Sequence, residues 1–151
     1  MSNIARLQIG IALTLSLVAA IVWFAPAPAH ADGAVALGIP ADVTADGFSY
    51  GYRVNAPNRD QARDTAFDQC SGNKVAPESA RKQCVVVADF RNECLAIAMD
   101  PKDGTPGYGV AIAPDRATAE ARAMGFCRAT AGKDRREFCK IDAVACDGRR
   151  N

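Results

Sequence analysis

The sequence predicts an α+β domain of two pseudo-symmetric strand–strand–helix–strand halves, an antiparallel sheet with two helices, stapled by disulfides. Three observations predict it. A block of 15 residues recurs at a shift of 57 positions. A period-two strand pattern precedes each copy. Six cysteines fall three to a copy, in the same order.

The repeat runs from Ala56 to Cys70 and again from Ala113 to Cys127. Without gaps the copies share Ala56/Ala113, Pro57/Pro114, Arg59/Arg116, Ala62/Ala119, Ala66/Ala123 and Cys70/Cys127. The same shift carries Asp46-Gly47 onto Asp103-Gly104, and Tyr50-Gly51 meets Tyr108-Gly109 with a slip of one residue. Self-similarity of this kind marks a duplicated structural unit. The chain divides into residues 1–31, read as a removable leader, and a single duplicated domain over 32–151, with halves at about 34–94 and 95–146.

Each half opens on a short apolar run, Ala34 to Leu37 and Leu95 to Met99, the first arm of a hairpin. Asp-Gly pairs follow as turn signals. The second arm alternates: Phe48, Tyr50, Tyr52 and Val54 against Ser49, Gly51 and Arg53, and Tyr108, Val110 and Ile112 against Gly109 and Ala111. Next comes a helix. Asn58 and Asp115 are good N-caps, each placed after a proline that favours an extended approach. Ala62, Ala66, Phe67 and Cys70 then share one helical face, as do Ala119, Ala123, Met124 and Cys127. The small alanines let that face lie close on a sheet. The last strand of the first half is the β-branched run from Cys84 to Ala88, and Cys139 to Cys146 fills the same slot in the second.

An even cysteine count in a small domain reads as a disulfide framework. Zinc is the alternative, but structural zinc favours close C-x-x-C pairs, and the tightest spacing here is Cys139 to Cys146. The lack of C-x-x-C also speaks against a thioredoxin-like catalyst. Symmetry narrows the pairings. Cys70 with Cys84 and Cys127 with Cys139 close similar loops in the two halves. Cys94 and Cys146 remain, equivalent to each other and able to bridge the halves.

The leader has three parts. Met1 to Gln8 carries one cation, Arg6; Ile9 to Phe24 is apolar and uncharged; Ala25 to Ala31 is a Pro-rich stretch ending in Ala29-x-Ala31. That is the layout of a secretory signal peptide, with cleavage expected after Ala31. The apolar run falls short of the roughly 20 residues that span a bilayer, so no stable membrane anchor is expected after cleavage. The expected location is periplasmic or secreted. Removing 1–31 takes one of the 18 basic residues and none of the 17 acidic ones, which leaves a formally neutral chain. With no basic excess, nucleic acid is not an expected partner. His30 and Trp23, the only residues of their kinds, leave with the same segment.

This arrangement of Tyr-Gly strands, alanine-spaced helices ending in cysteine, and Cys84-Val85-Val86-Val87 resembles the bacterial family known as domain of unknown function 4189. The resemblance spans roughly residues 34–146. It implies a secreted or periplasmic protein with disulfide-bonded cysteines, and it carries over no catalytic residue.

The residues themselves limit the chemistry. Ser–His–Asp and Cys–His catalysis need an imidazole, which 32–151 lacks. Gly104 to Gly109 precedes a strand and reads as a turn, not a phosphate loop. Asp100 to Gly104 lacks the acid spacing of a calcium loop. Lys133 to Glu137 is mixed in sign and reads as a solvated turn. No metal and no cofactor is implied. Asp89, Glu93, Asp100, Asp103 and Asp142 could supply a carboxylate pair for glycoside hydrolysis. Tyr50, Tyr52 and Tyr108 offer apolar area with a polar tip, suited either to the core or to a recognition surface. The expectation is a non-enzymatic module that binds a protein or envelope component. The alternative is a carboxylate-dependent hydrolase acting on glycans or cell wall.

Overall fold

Small and large side chains alternate along two strands, and that alternation decides the layering. In β1 (Asp32–Gly38), Ala34 and Ala36 point one way, Val35 and Leu37 the other. In β4 (Cys94–Met99), Ala96 and Ala98 oppose Leu95 and Ile97. A helix axis can approach a sheet closely only over small residues, while Val, Leu and Ile fill a gap between sheets. A computed structural model, which describes residues 32–148, shows that outcome.

The remaining elements are α1 (Val43–Asp46), β2 (Ser49–Ala56), α2 (Arg59–Gly72), α3 (Glu78–Arg81), β3 (Cys84–Phe90), β5 (Tyr108–Ala113), α4 (Arg116–Thr130), a 3₁₀ turn (Arg136–Phe138) and β6 (Lys140–Cys146). They form two three-stranded antiparallel sheets, ordered β2-β1-β3 and β5-β4-β6. The first strand of each half is therefore the central one. Ala62, Ala66 and Cys70 of α2 pack on Ala34 and Ala36. Ala119, Ala123 and Cys127 of α4 pack on Ala96 and Ala98. Val35, Leu37 and Phe90 of one sheet meet Leu95 and Ile97 of the other. The layers run helix, sheet, sheet, helix. The α+β class and the strand–strand–helix–strand order stand, with one sheet to each half.

Gly51 and Gly109 show how tight the outer layers are. A Cβ added to Gly51 would run into the carbonyl oxygen of Ala66 and the amide nitrogen of Cys70. At Gly109 it would meet the corresponding atoms of Ala123 and Cys127. The helix backbone thus rests directly on the strand. This is why Phe67 does not share the buried face: it is 43% exposed, turned away from a seam only alanine and cysteine can enter. Both helices start as their caps require. Asn58 accepts from the amide of Gln61, and Asp115 from the amide of Thr118, each at 2.9 Å. The two Asp-Gly turns are real: Gly47 and Gly104 both hold φ of 72°, where glycine is favoured.

Three disulfides link Cys70 to Cys84, Cys127 to Cys139, and Cys94 to Cys146. The first two tie the end of each long helix to the strand after it. The third is not a bridge between halves. Cys94 opens β4 and faces Cys146 across β4 and β6, inside the second sheet. Cys94 and Cys146 are cross-strand partners, not equivalents. The apolar leader and its cleavage site, residues 1–31, lie outside the described residues, among which no helix is long and apolar enough to cross a membrane.

Candidate functional site

Because β2 and β5 lay their glycines on the helices, the alternate side chains project from the opposite face. There the tyrosines collect. Tyr50 and Tyr52, two residues apart on β2, stack with ring centroids 6.4 Å apart. Phe48 lies 5.8 Å from Tyr50 and stacks on Tyr108 of β5 at 4.9 Å. The result is a row, Tyr52–Tyr50–Phe48–Tyr108, that passes from one sheet to the other along the rim of the inter-sheet core. Each of the four rings is half-buried. Phe48, Tyr50 and Tyr52 pack against the inter-sheet core and keep part of their area at the surface.

Two points of the row are held, the Tyr50 hydroxyl and the Tyr108 backbone. The Tyr50 phenol donates a hydrogen bond to Asp142, an exposed residue of β6. Burial, and then the Asp142 carboxylate, push the Tyr50 phenol above its ordinary range, so it stays protonated at neutral pH. The hydroxyl of Thr130 on α4 holds the start of β5. It accepts from the Tyr108 amide at 2.9 Å, and the Tyr108 carbonyl lies 2.8 Å from the same oxygen. Rigid aromatic area with polar tips and an adjacent carboxylate suits binding.

The carboxylates singled out in the sequence do not assemble into one site. Asp142 sits at the aromatic row. Asp103 is exposed in the β4–β5 connection. The Asp100 side chain is fully buried and bound twice by Arg135, from Nε at 2.7 Å and from a terminal nitrogen at 2.6 Å. The Arg135 guanidinium, and the amide of Lys102, hold the Asp100 carboxyl below its usual range. Arg135 also lies 4.1 Å from the ring centre of Phe138. So Arg135 is not part of a solvated turn. It closes the α4–β6 connection onto the β4–β5 loop, a contact across 35 residues that local charge pattern does not reveal.

Asp89 and Glu93 do come together. With Asp32, Arg59, Phe90 and Arg91 they line a cleft of about 290 Å³. It lies where the first turn of α2 meets the start of β1 and the end of β3. Asp89 takes Arg59 at 3.1 Å and Arg63 at 2.6 Å. Asp32 takes Nε of Arg91 at 2.8 Å and one terminal nitrogen at 2.6 Å.

Asp147 is a residue that sequence reasoning missed. It is fully buried just after Cys146. Its carboxylate accepts the amides of Asn55 at 2.8 Å and Asn92 at 3.1 Å, residues with φ of 55° and 54°. It thereby ties β2 of the first sheet to the end of β6 in the second. An acid next to a C-terminal cysteine gives no local hint of this; the two left-handed asparagines are the only sequence signal.

Among the described residues no group of three or more His, Cys, Asp or Glu side chains is placed to hold a metal ion. No curated protein and no solved structure matches the chain. Residues 33–146, nearly all of the described fold, match the family described as Domain of unknown function (DUF4189), and the chain belongs to that family.

Proposed function

We propose that this chain is an exported, non-enzymatic binding module that recognises a protein or envelope component through the row Tyr52–Tyr50–Phe48–Tyr108. The observation that carries the reading is the partial exposure of four aromatic rings in successive contact along the rim of the inter-sheet core. Aromatic side chains are enriched at binding surfaces because they supply large area with little rotamer freedom to lose. Export is supported by the three-part pattern of residues 1–31 and by the use of all six cysteines in disulfides, a habit of oxidising compartments.

The competing reading is a carboxylate-dependent hydrolase of glycans or cell wall. The cleft shared by Asp89 and Glu93 is the observation on its side. Against it, Asp89 is already engaged by two guanidinium groups.

Capture from periplasm and culture medium, with the Tyr52→Ala/Tyr108→Ala protein alongside, tests the proposal. One partner held by the native protein and lost by the variant is expected. Equal recovery by both, or glycan turnover by the pure protein, overturns it.

A further inference from the structure

The cleft beside α2 has a charge arrangement that the aromatic row does not explain. Two of its carboxylates are consumed internally, Asp32 by Arg91 and Asp89 by Arg59 and Arg63. The side chains of those carboxylates are only 9% and 18% exposed, whereas those of Arg91 and Arg59 are 52% and 68% exposed. Arg59 meets Asp89 through Nε at 3.1 Å, and Arg91 meets Asp32 through Nε at 2.8 Å and a terminal nitrogen at 2.6 Å. A guanidinium has five N–H donors, more than these contacts use. The third carboxylate that lines it, Glu93, forms no ion pair with these arginines. Its backbone is fixed from behind, since its carbonyl accepts the Asp147 amide at 2.8 Å. Phe90, which is 5% exposed, forms an apolar wall.

The lining thus offers guanidinium donors for an anion and a carboxylate for a cation around one small cleft. We propose that this cleft binds a small zwitterion of amino-acid or peptide chemistry. Its carboxylate takes the terminal N–H groups of Arg59 and Arg91, and its ammonium takes Glu93. The arginines supply donors for the carboxylate and Glu93 an acceptor for the ammonium, so a ligand carrying both charges uses more of the lining than a simple anion or cation does. The volume of about 290 Å³ suits an amino acid or a dipeptide.

The test is titration of the purified protein with alanyl-alanine, followed by amide NMR shifts. N-acetylated and C-amidated forms of the same dipeptide run in parallel. The expected result is saturable shifts at Arg59, Phe90, Arg91 and Glu93. Masking either end should weaken binding about tenfold or more, the worth of one charge-assisted hydrogen bond. Arg59→Gln should abolish the preference for the free carboxylate, and Glu93→Gln the preference for the free ammonium. Arg59 is exposed and Asp89 keeps Arg63 when it is replaced, and Glu93 is half-buried with no ion pair to Arg59 or Arg91, so both variants should fold; an unchanged spectrum elsewhere verifies this. No shift in the cleft at millimolar dipeptide overturns the proposal. Equal binding of the masked forms overturns it as well.

Discussion

Arg91, one residue past β3, forms an ion pair with Asp32 of β1, and the registers align this pair with the Cys94–Cys146 disulfide between β4 and β6. The registers establish the correspondence. Ala36 pairs with Gly51 and Ala98 with Gly109, so β1 aligns on β4 with Val35 at Ile97, Gly33 at Leu95 and Asp32 at Cys94. On the other side Gly33 pairs with Phe90 as Leu95 pairs with Ala145, and one step further Asp32 meets Arg91 as Cys94 meets Cys146. Large and small have exchanged strands in one pair, and an ion pair replaces a covalent bond in the next.

The Asp32→Cys/Arg91→Cys protein should therefore form a fourth disulfide in place of the ion pair. It would close a loop comparable to the 52-residue separation of Cys94 and Cys146. Restricting the unfolded chain over that length is worth up to about 4 kcal/mol. The ion pair it replaces contributes little, because Arg91 is half exposed. Thiol titration of the denatured protein should find no free thiol, and the urea midpoint should rise under non-reducing conditions only.

Glycine at positions 51 and 109 is required by contact and not by backbone dihedral. Gly51→Ala and Gly109→Ala each push a methyl into helix backbone, which cannot swing aside as a side chain can. Each should cost about 1–3 kcal/mol or more, the range for overpacking a tight core. Gly72→Ala, at the end of α2 with open space around its Cβ, should be nearly neutral. Equal destabilisation by all three in urea melts would contradict the close helix–strand seam.

Much of this architecture was legible because the duplication repeats local signals. Asn58 and Asp115, Gly51 and Gly109, and the cysteines that end α2 and α4 each identify their counterparts. The alternation of Ala34 and Ala36 with Val35 and Leu37 already contains the split into helix-facing and sheet-facing sides. Yet it reads equally well as one continuous sheet until the partner layer is seen. Cys94 reads from sequence as the end of the first half because only Arg91 to Glu93 separate it from β3; it opens β4 instead, and β4 corresponds to β1 at a shift of 62, not 57. Of the site, the tyrosines were visible as a strand pattern, but the contact of Phe48 with Tyr108 spans 60 positions. The cleft joins residues 32, 59 and 89–93, and nothing local announces it.

The buried pair Asp100–Arg135 should give the protein an acid-sensitive component of stability. A carboxyl whose folded-state pKa lies below its unfolded value stabilises fully above that unfolded value. The contribution is lost as pH falls through the folded value. Asp100 is displaced downward by Arg135, so the loss begins near pH 4, the usual range for an aspartate, and continues below it. Asp100→Asn should therefore be less stable than the native protein at pH 7, with a gap that narrows as pH drops below about 4. Urea midpoints across a pH series check this; a constant gap would contradict the assignment.

Asp147 makes the sharpest stability prediction, because its two partners are backbone amides that cannot move away. Asn55 and Asn92 sit in the left-handed region, which asparagine tolerates better than most residues, and both amides point at the buried carboxylate. Asp147→Ala would remove the acceptor of both part-buried donors, at up to about 1–3 kcal/mol each. Asn92→Gly keeps the amide and accepts the same φ, so it should remain close to the native protein. Amide exchange separates this from a general packing defect. In Asp147→Ala the protection of Asn55 and Asn92 should collapse, while Leu95 and Ile97, at the centre of the inter-sheet core, exchange as slowly as global unfolding allows. If Asn55 and Asn92 stay protected, the clamp between the first sheet and the end of β6 is not held by Asp147.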